Sequence, residues 1–298
     1  MGSFRRIALG DRAEISRYLR MFPQNEASEY TFTNLFIWGG SEDIQWMEKD
    51  SFLLIRATVM GALRYLMAFA QPENLENALE SAIGMANGAG EAFAMHSLPP
   101  WYCDMMEKCM PGRFLFEREP HMDDYIYNTM DLTDLAGKKY HGKRNHINKF
   151  MSMYAGRYEY VPYSPELADG CMDVYNRWYE QQEESEALNW ERDSVNLALY
   201  NSRELEVIGG VILIAGKPRA FSIGEMLTSD MAVIHIEKAS PEIPELFSVI
   251  NRTFAANGLS GSSWINREED MGNEGLRRAK RSYRPVRMVE KYRAGLKG

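Results

Sequence analysis

From residue 208 to 239 the apolar positions alternate or run together as strands require. "EVIGGVILIAGKPRAFSIGEML" reads as a hairpin turning at Gly216-Lys217-Pro218, and "MAVIHIEKA" as a third strand. Helical spacing takes over in "EIPELFSVINRTFAANG". A short strand "SSWIN", a helix "NEGLRRAKRSY" and a last strand "VRMVEKYRA" follow. Upstream, "PELADGCMDVYNRWYEQQEES" and "NWERDSVNLALYNSREL" are helical. The first part of the chain has a similar order. "GDRAEISRYLRMFP" predicts a helix capped by Asp11 and stopped at Pro23. "IQWMEKDSFLLIRA" predicts two strands turning at Lys49-Asp50, and "GALRYLMAFA" a third. "PENLENALESAIGMANGAG" is a helix with Pro72 near its start. "EAFAMHSLP" is a strand, "PWYCDMMEKCMPG" a short helix, and "DDYIYNTMDL" another strand. Strands alternate with helices twice over, which predicts two α/β units of similar architecture. The boundary falls near Asp134–Gly137, giving domains 1–136 and 137–298.

Charge sharpens that division. The net charge of −8 is uneven: residues 1–136 hold 11 basic against 20 acidic side chains. The remainder holds 34 − 11 = 23 basic and 42 − 20 = 22 acidic. No apolar run approaches the roughly 20 residues that span a bilayer. The N-terminus lacks a signal-peptide core, because Asp11, Arg12 and Glu14 interrupt it. Cys103, Cys109 and Cys171 have no metal-ligand spacing and read as free thiols in a reducing cytoplasm. No metal site is expected.

Positive charge concentrates in the connector "GKKYHGKRNHINKFMSMYAGR", residues 137–157, with six Lys and Arg, two His and no acid. Ile147, Phe150, Met151 and Tyr154 share one helical face, leaving Lys143, Arg144, Asn145 and Lys149 off it. Two readings stand side by side. One is a solvated helix that offsets an acidic first domain. The other is a patch for phosphate or an RNA backbone.

The strands "FSIGEML" and "VIHIEKA" carry Glu225, His235 and Glu237 in apolar surroundings, the kind of setting that shifts pKa values and makes general bases. A three-residue loop would put Glu225 beside His235, and a two-residue loop would separate them. The structural alternative makes Glu237 and Lys238 an ion pair and His235 a satisfied core residue. Further on, Asn266, Arg267, Glu268 and Asp270 leave a strand through a glycine-containing turn, the position where open α/β sheets bind ligands. They are expected to line a cleft and hold a substrate amine, or to pair with Arg277 and Lys280. In the helix that follows, Leu276, Ala279 and Tyr283 form an apolar stripe, and Arg277, Lys280, Arg281 and Arg284 a basic one.

The pieces "NREEDMGNEGLRRAKRSYRP", "IHIEKA", "AFSIGE", "GKKYHGKRNHINKF", "YTFTNLFIW" and "DDYIYNTMDL" resemble a bacterial family described as phosphatidylglycerol lysyltransferase C-terminal-like. The resemblance covers nearly the whole chain. It implies an α/β (α+β) fold of two tandem GNAT-like acyltransferase domains, each a mixed, mainly antiparallel sheet flanked by helices. It also implies kinship with Fem-type aminoacyltransferases. The chain departs from it in two ways: Pro244 stands where the family often has glycine, and "EKASPEIPELF" lacks the Gln/Arg-x-x-Gly-x-Gly/Ala loop that holds the pyrophosphate of acetyl-CoA. Backbone amides at that helix start remain available to an anion. The implied donor is therefore an aminoacyl-tRNA, or an acyl-CoA bound in another way, with tRNA as partner and peripheral contact with anionic lipid in view. The expected activity is acyl or aminoacyl transfer to an amine or hydroxyl, with Glu225, His235 or Glu237 as base. The alternative is a non-catalytic protein that reads RNA or another anion through residues 138–149.

Overall fold

The computed structural model describes residues 3–298. In chain order the strands are β1 (Arg5–Arg6), β2 (Gln45–Lys49), β3 (Phe52–Val59), β4 (Ala62–Tyr65), β5 (Ala94–Leu98), β6 (Phe114–Arg118) and β7 (Asp124–Asn128). Then come β8 (Tyr158–Pro162), β9 (Ile208–Ile214), β10 (Lys217–Met226), β11 (Met231–Ala239), β12 (Trp264–Asn266), β13 (Arg287–Val289) and β14 (Tyr292–Leu296). They form two seven-stranded sheets, in the orders β1-β2-β3-β4-β5-β14-β6 and β13-β7-β12-β11-β10-β9-β8. The architecture is tandem GNAT-like, two mixed sheets flanked by helices.

The chain packs as two compact units. Unit 1 runs up to Asp124 and regains Glu269–Asn273 and Met288–Gly298; unit 2 is Tyr125–Glu268 with Glu274–Arg287. This differs from a single division at 136/137, and strand pairing is the reason. β7 pairs with β12, whereas β14 lies between β5 and β6. The stretch "VRMVEKYRA" accordingly breaks into two strands that join different sheets.

In unit 1, β2 and β3 turn at Asp50 and Ser51, both with positive φ, as a tight hairpin requires. The helix Arg12–Leu19 begins after Asp11, whose side chain makes no cap bond. Its carboxylate instead accepts from the Ala8 N–H at 2.9 Å and the Trp46 indole at 3.1 Å. The helix Leu75–Gly88 buries Leu75, Leu79, Ala82 and Ile83 at helical spacing. Lys291 is fully enclosed in this unit. Its ammonium lies 2.6 Å from Asp124 and 2.8 Å from Glu29.

In unit 2, β9 and β10 turn at Ala215 and Gly216, again at positive φ. β10 pairs antiparallel with β11 through a four-residue loop, 227–230. β11 and β12 are the parallel pair, aligned only from Met231↔Trp264 to Val233↔Asn266. Beyond Val233, β11 runs on to Ala239 while β12 has ended. Helices Leu246–Asn257 and His141–Met153 pack in this unit. Of the apolar face expected in the latter helix, Ile147 and Phe150 are buried and Met151 is exposed. Among the described residues, no helix is long and apolar enough to cross a membrane.

Candidate functional site

The site is built where β11 and β12 part. β10 and β11 stay in register from Ala220↔Ala239 to Ile223↔Ile236, then step to Gly224↔Ile234. His235 is the extra residue, a β-bulge that re-aims side chains at the point where parallel pairing stops. Only glycine fits opposite it. A Cβ on Gly224 would stand 2.2 Å from the Val233 carbonyl oxygen.

The bulge brings Glu225 and His235 together across the strands, with His235 Nε2 2.9 Å from Glu225 and Nδ1 2.8 Å from Glu268. Burial alone would push this imidazole's pKa down. Hydrogen bonds to Glu225 and Glu268, and their charges, overcome that and raise it to about 10. His235 is therefore an imidazolium at neutral pH and donates through both nitrogens. It is a poor base, and it ties the turn after β12 to the bulge of β11.

Two residues along the same face of β11 lies Glu237. It accepts from Arg267 Nη2 at 3.0 Å and from Asn251 Nδ2 at 3.0 Å, one on each carboxylate oxygen. Lys238 faces the other side of the sheet, 2.8 Å from Glu191 and 3.5 Å above the Trp178 ring. The Glu237–Lys238 ion pair considered above does not form, because strand neighbours point to opposite faces. Arg267 is almost enclosed, and burial opposes its charge while Glu237 restores it. Two polar atoms of this trio, Arg267 Nη1 and Asn251 Oδ1, are buried without a hydrogen-bond partner. Buried polar atoms of that kind are costly unless something else satisfies them.

Cations and aromatic rings close the arrangement. Tyr283 is buried, with Arg267 at 4.9 Å and Lys143 Nζ at 3.9 Å from its ring centroid. Lys280 is not part of a solvated basic stripe. It is buried and donates to the Arg267 carbonyl at 2.6 Å, while Tyr127 donates to the Lys280 carbonyl at 2.8 Å. Of the expected apolar stripe, Tyr283 is buried, Leu276 half-buried and Ala279 exposed.

The other expected residues stand elsewhere. Asn266 is fully buried and its Oδ1 accepts the Glu268 N–H at 2.7 Å, which shapes the turn. Asp270 falls in unit 1 and accepts the Gly272 N–H at 2.9 Å. Arg277 is half-buried and Asn145 is exposed, with its amide 3.1 Å from His141. Arg144 donates to the carbonyls of Leu135 and Gly137, capping the helix Thr129–Asp134. Lys139 pairs with Asp131 at 2.9 Å, and His146 and Lys149 face Glu245. Much of the connector's charge is thus spent within the fold.

Asn251 and Tyr127 belong to the cluster and were not singled out from sequence. Asn251 carried a signal: it interrupts the buried run Leu246, Ile250, Phe254 of its helix. The cysteines contribute no nucleophile, since burial pushes the Cys103 and Cys171 thiols up to about 12.

In unit 2 these polar groups gather beside the end of the parallel pair β11–β12. The model of the family described as "Phosphatidylglycerol lysyltransferase, C-terminal" matches residues 20–295, and the chain belongs to that family. It is similar to a conserved protein of unknown function from Bacteroides thetaiotaomicron, at 35% identity over 100% of both chains and a TM-score of 0.90. The C-terminal domain of a putative lysylphosphatidylglycerol synthetase from Agrobacterium fabrum aligns at 13% identity, covering 96% of this chain and 93% of that one, with a TM-score of 0.69. L-PGS from Bacillus licheniformis aligns at 16% identity over 96% and 91%, with a TM-score of 0.67. No curated protein matches the chain.

Proposed function

We propose that unit 2 transfers an aminoacyl group from an aminoacyl-tRNA to an amine or hydroxyl acceptor. One observation carries the reading: the buried Arg267 guanidinium, held by Glu237 at 3.0 Å, keeps Nη1 without a partner just beyond the end of β12. A preorganised donor in a dry site is what a developing tetrahedral oxyanion requires. Arg267 then stabilises the oxyanion, Glu237 and Asn251 hold Arg267, and the Glu225–His235–Glu268 clamp fixes the turn that presents it. The missing pyrophosphate loop in "EKASPEIPELF" favours an aminoacyl-tRNA over an acyl-CoA. The lysylphosphatidylglycerol synthetase named among the structural neighbours makes a lipid hydroxyl one acceptor to try. Binding of an anion without turnover is the weaker reading, because Arg144, Lys139, His146 and Lys149 already have partners in the fold.

The test incubates the protein with bulk tRNA charged with radiolabelled amino acids, together with phosphatidylglycerol vesicles and a deproteinised cell extract. Protein-dependent transfer of label, lost in Arg267→Met but retained in Arg203→Met on the surface, is expected. Charged tRNA left intact, with acyl-CoA left intact in a parallel assay, would refute the transferase reading.

A further inference from the structure

We propose that Lys143 moves the proton in this transfer: its amine accepts the proton of the attacking acceptor and returns it to the departing donor oxygen. The inference rests on the transferase reading above and adds a residue to it. Lys143 sits in the first turn of the helix His141–Met153, half-buried, with Nζ 3.9 Å from the centroid of the Tyr283 ring. The same ring carries Arg267, the guanidinium with the unspent donor. A base beside the oxyanion donor is the placement that acyl transfer needs.

What separates Lys143 from the buried lysines of the chain is the lack of a hydrogen-bonding or ionic partner. Lys238 is paired with Glu191 at 2.8 Å, Lys280 with the Arg267 carbonyl at 2.6 Å and Lys291 with Asp124 at 2.6 Å. Among the described residues, neither a hydrogen bond nor an ion pair reaches Lys143 Nζ. The groups suggested as bases from sequence are all engaged: His235 by two carboxylates, Glu225 by His235, and Glu237 by Arg267 and Asn251.

The charged and titratable groups around the amine come from every element packed near it. Arg267 follows β12, Glu237 stands on β11, Glu245 precedes the helix Leu246–Asn257, and Tyr283 follows the helix Glu274–Arg281. Burial and the Arg267 charge lower the Lys143 pKa, and Glu237 and Glu245 offset only part of that, leaving it at about 8. At pH 7 roughly a tenth of the amine is then neutral, against fewer than about one in a thousand for an ordinary lysine.

The step balances without any further reactant. The acceptor's oxygen or nitrogen bonds to the acyl carbon as its proton goes to the neutral Lys143 amine. The bond from the acyl carbon to the tRNA ribose oxygen breaks, and its electron pair leaves with that oxygen. The Lys143 ammonium gives the proton to the departing oxygen and is neutral again.

The experiment uses Lys143→Met, which keeps most of the side-chain length, and Lys143→Arg, which keeps the charge but does not release a proton near neutral pH. Both are assayed with bulk charged tRNA, phosphatidylglycerol vesicles and cell extract, across pH 6 to 10. Wild-type kcat should rise with pH through a midpoint of about 8. Each variant should lose roughly 100-fold or more in kcat, with KM within a few-fold, and the pH-dependent rise should vanish. Turnover that survives in Lys143→Met with the same pH profile overturns the role of Lys143 alone. No turnover by the wild type overturns the transferase reading and the role together. An independent arm labels the amines of the wild-type protein competitively over pH 6 to 11 and quantifies each lysine by mass spectrometry. Half-maximal reactivity of Lys143 near pH 8 supports the proposal. A midpoint near the ordinary value of about 10.4 overturns it whatever the turnover.

Discussion

The His235 clamp makes a stability prediction whose sign runs against ordinary alkaline stabilisation. The imidazole, 1% exposed, holds its proton between Glu225 and Glu268 with a pKa of about 10, whereas in the unfolded chain it titrates near 6.5. A folded-state pKa above the unfolded one means that the native protein binds the extra proton between those two values. The stability it contributes is complete below about pH 6.5 and is lost as pH rises toward 10. Each unit of difference is worth about 1.4 kcal/mol, so roughly 3 kcal/mol of the clamp's contribution should disappear between pH 7 and 9. Lys143 acts in the opposite direction. Its folded pKa, lowered to about 8, makes the native protein shed a proton that the unfolded chain keeps, and so favours folding as pH rises above 8. The measurement is therefore a difference. Urea unfolding of wild type and His235→Gln is followed by circular dichroism at half-unit steps from pH 6.5 to 9.5, so that Lys143 and every other shared group cancel. The gap in unfolding free energy should start at about 3 kcal/mol, the cost of leaving two half-buried carboxylates without their buried cation. It should then narrow by roughly 1.4 kcal/mol per unit. A gap that stays constant over that range would show that His235 is not the proton holder, and the clamp argument would fail.

Gly224→Ala forces a Cβ to 2.2 Å from the Val233 carbonyl and should cost about 2–4 kcal/mol or prevent soluble expression, read as a thermal midpoint. Lys291→Met leaves Asp124 and Glu29 buried without their ammonium, 2.6 Å and 2.8 Å away, and should lower stability by about 3–5 kcal/mol in urea titration. Lys238→Met should fall within about 1.5 kcal/mol of wild type, because the thioether side chain fills the same space under Trp178. Glu191→Leu, which strands the buried Lys238 charge, should cost more, about 3 kcal/mol. A larger loss in Lys238→Met than in Glu191→Leu would mean that the cation–π contact, which only the first variant removes, holds this face.

Much of the fold was legible because its signals are local. The period-2 runs of β9, β10 and β11 and the helix Leu246–Asn257 stand in the sequence almost as they stand in the structure. β8, a short edge strand reading "YEYVP", was not distinguishable from loop, and neither was β6. β14 was misjoined to β13 because its partners, β5 and β6, lie some two hundred residues upstream, and no local pattern reports pairing over that separation. The site shows the same split. That Glu225, His235 and Glu237 are ionisable groups set in apolar strands could be read from the sequence. Their partners could not, because Glu268, Arg267 and Asn251 arrive from two other elements. The connector's charge was visible, but its neutralisation by Asp131, Glu245 and two backbone carbonyls depends on tertiary contacts. The adjacent Glu237 and Lys238 take their partners on opposite faces of the sheet. Strand alternation already separates neighbours onto opposite faces, so that pair could have been rejected from the sequence.

The two sheets repeat one device and fill it differently. In each, the fourth strand gains an extra residue just past its parallel pairing with the fifth. In unit 2 the residue is His235, after the last parallel pair Val233↔Asn266. In unit 1 the parallel pair is Tyr65↔Met95, and one residue too many stands between Tyr65 and the bridge Leu53↔Phe69. A bulge leaves backbone amides without a ladder partner, so something must accept from them. In unit 1 two buried tyrosines do so: Tyr30 accepts from the Met67 N–H at 3.2 Å, and Tyr102 accepts from the Ala68 N–H at 3.0 Å and donates to the Ala68 carbonyl at 2.9 Å. Both rings are anchored in the core, and burial raises both phenols, so they stay neutral and fixed. In unit 2 the same region holds ions instead, with a buried donor on Arg267 and a buried acceptor on Asn251 left unspent. Neutral, mutually satisfied groups stabilise a fold and do no chemistry. Charged groups with unspent valence cost stability unless a ligand completes them. That contrast between two equivalent positions on one chain is the physical reason to look for transfer in unit 2 and for scaffold in unit 1.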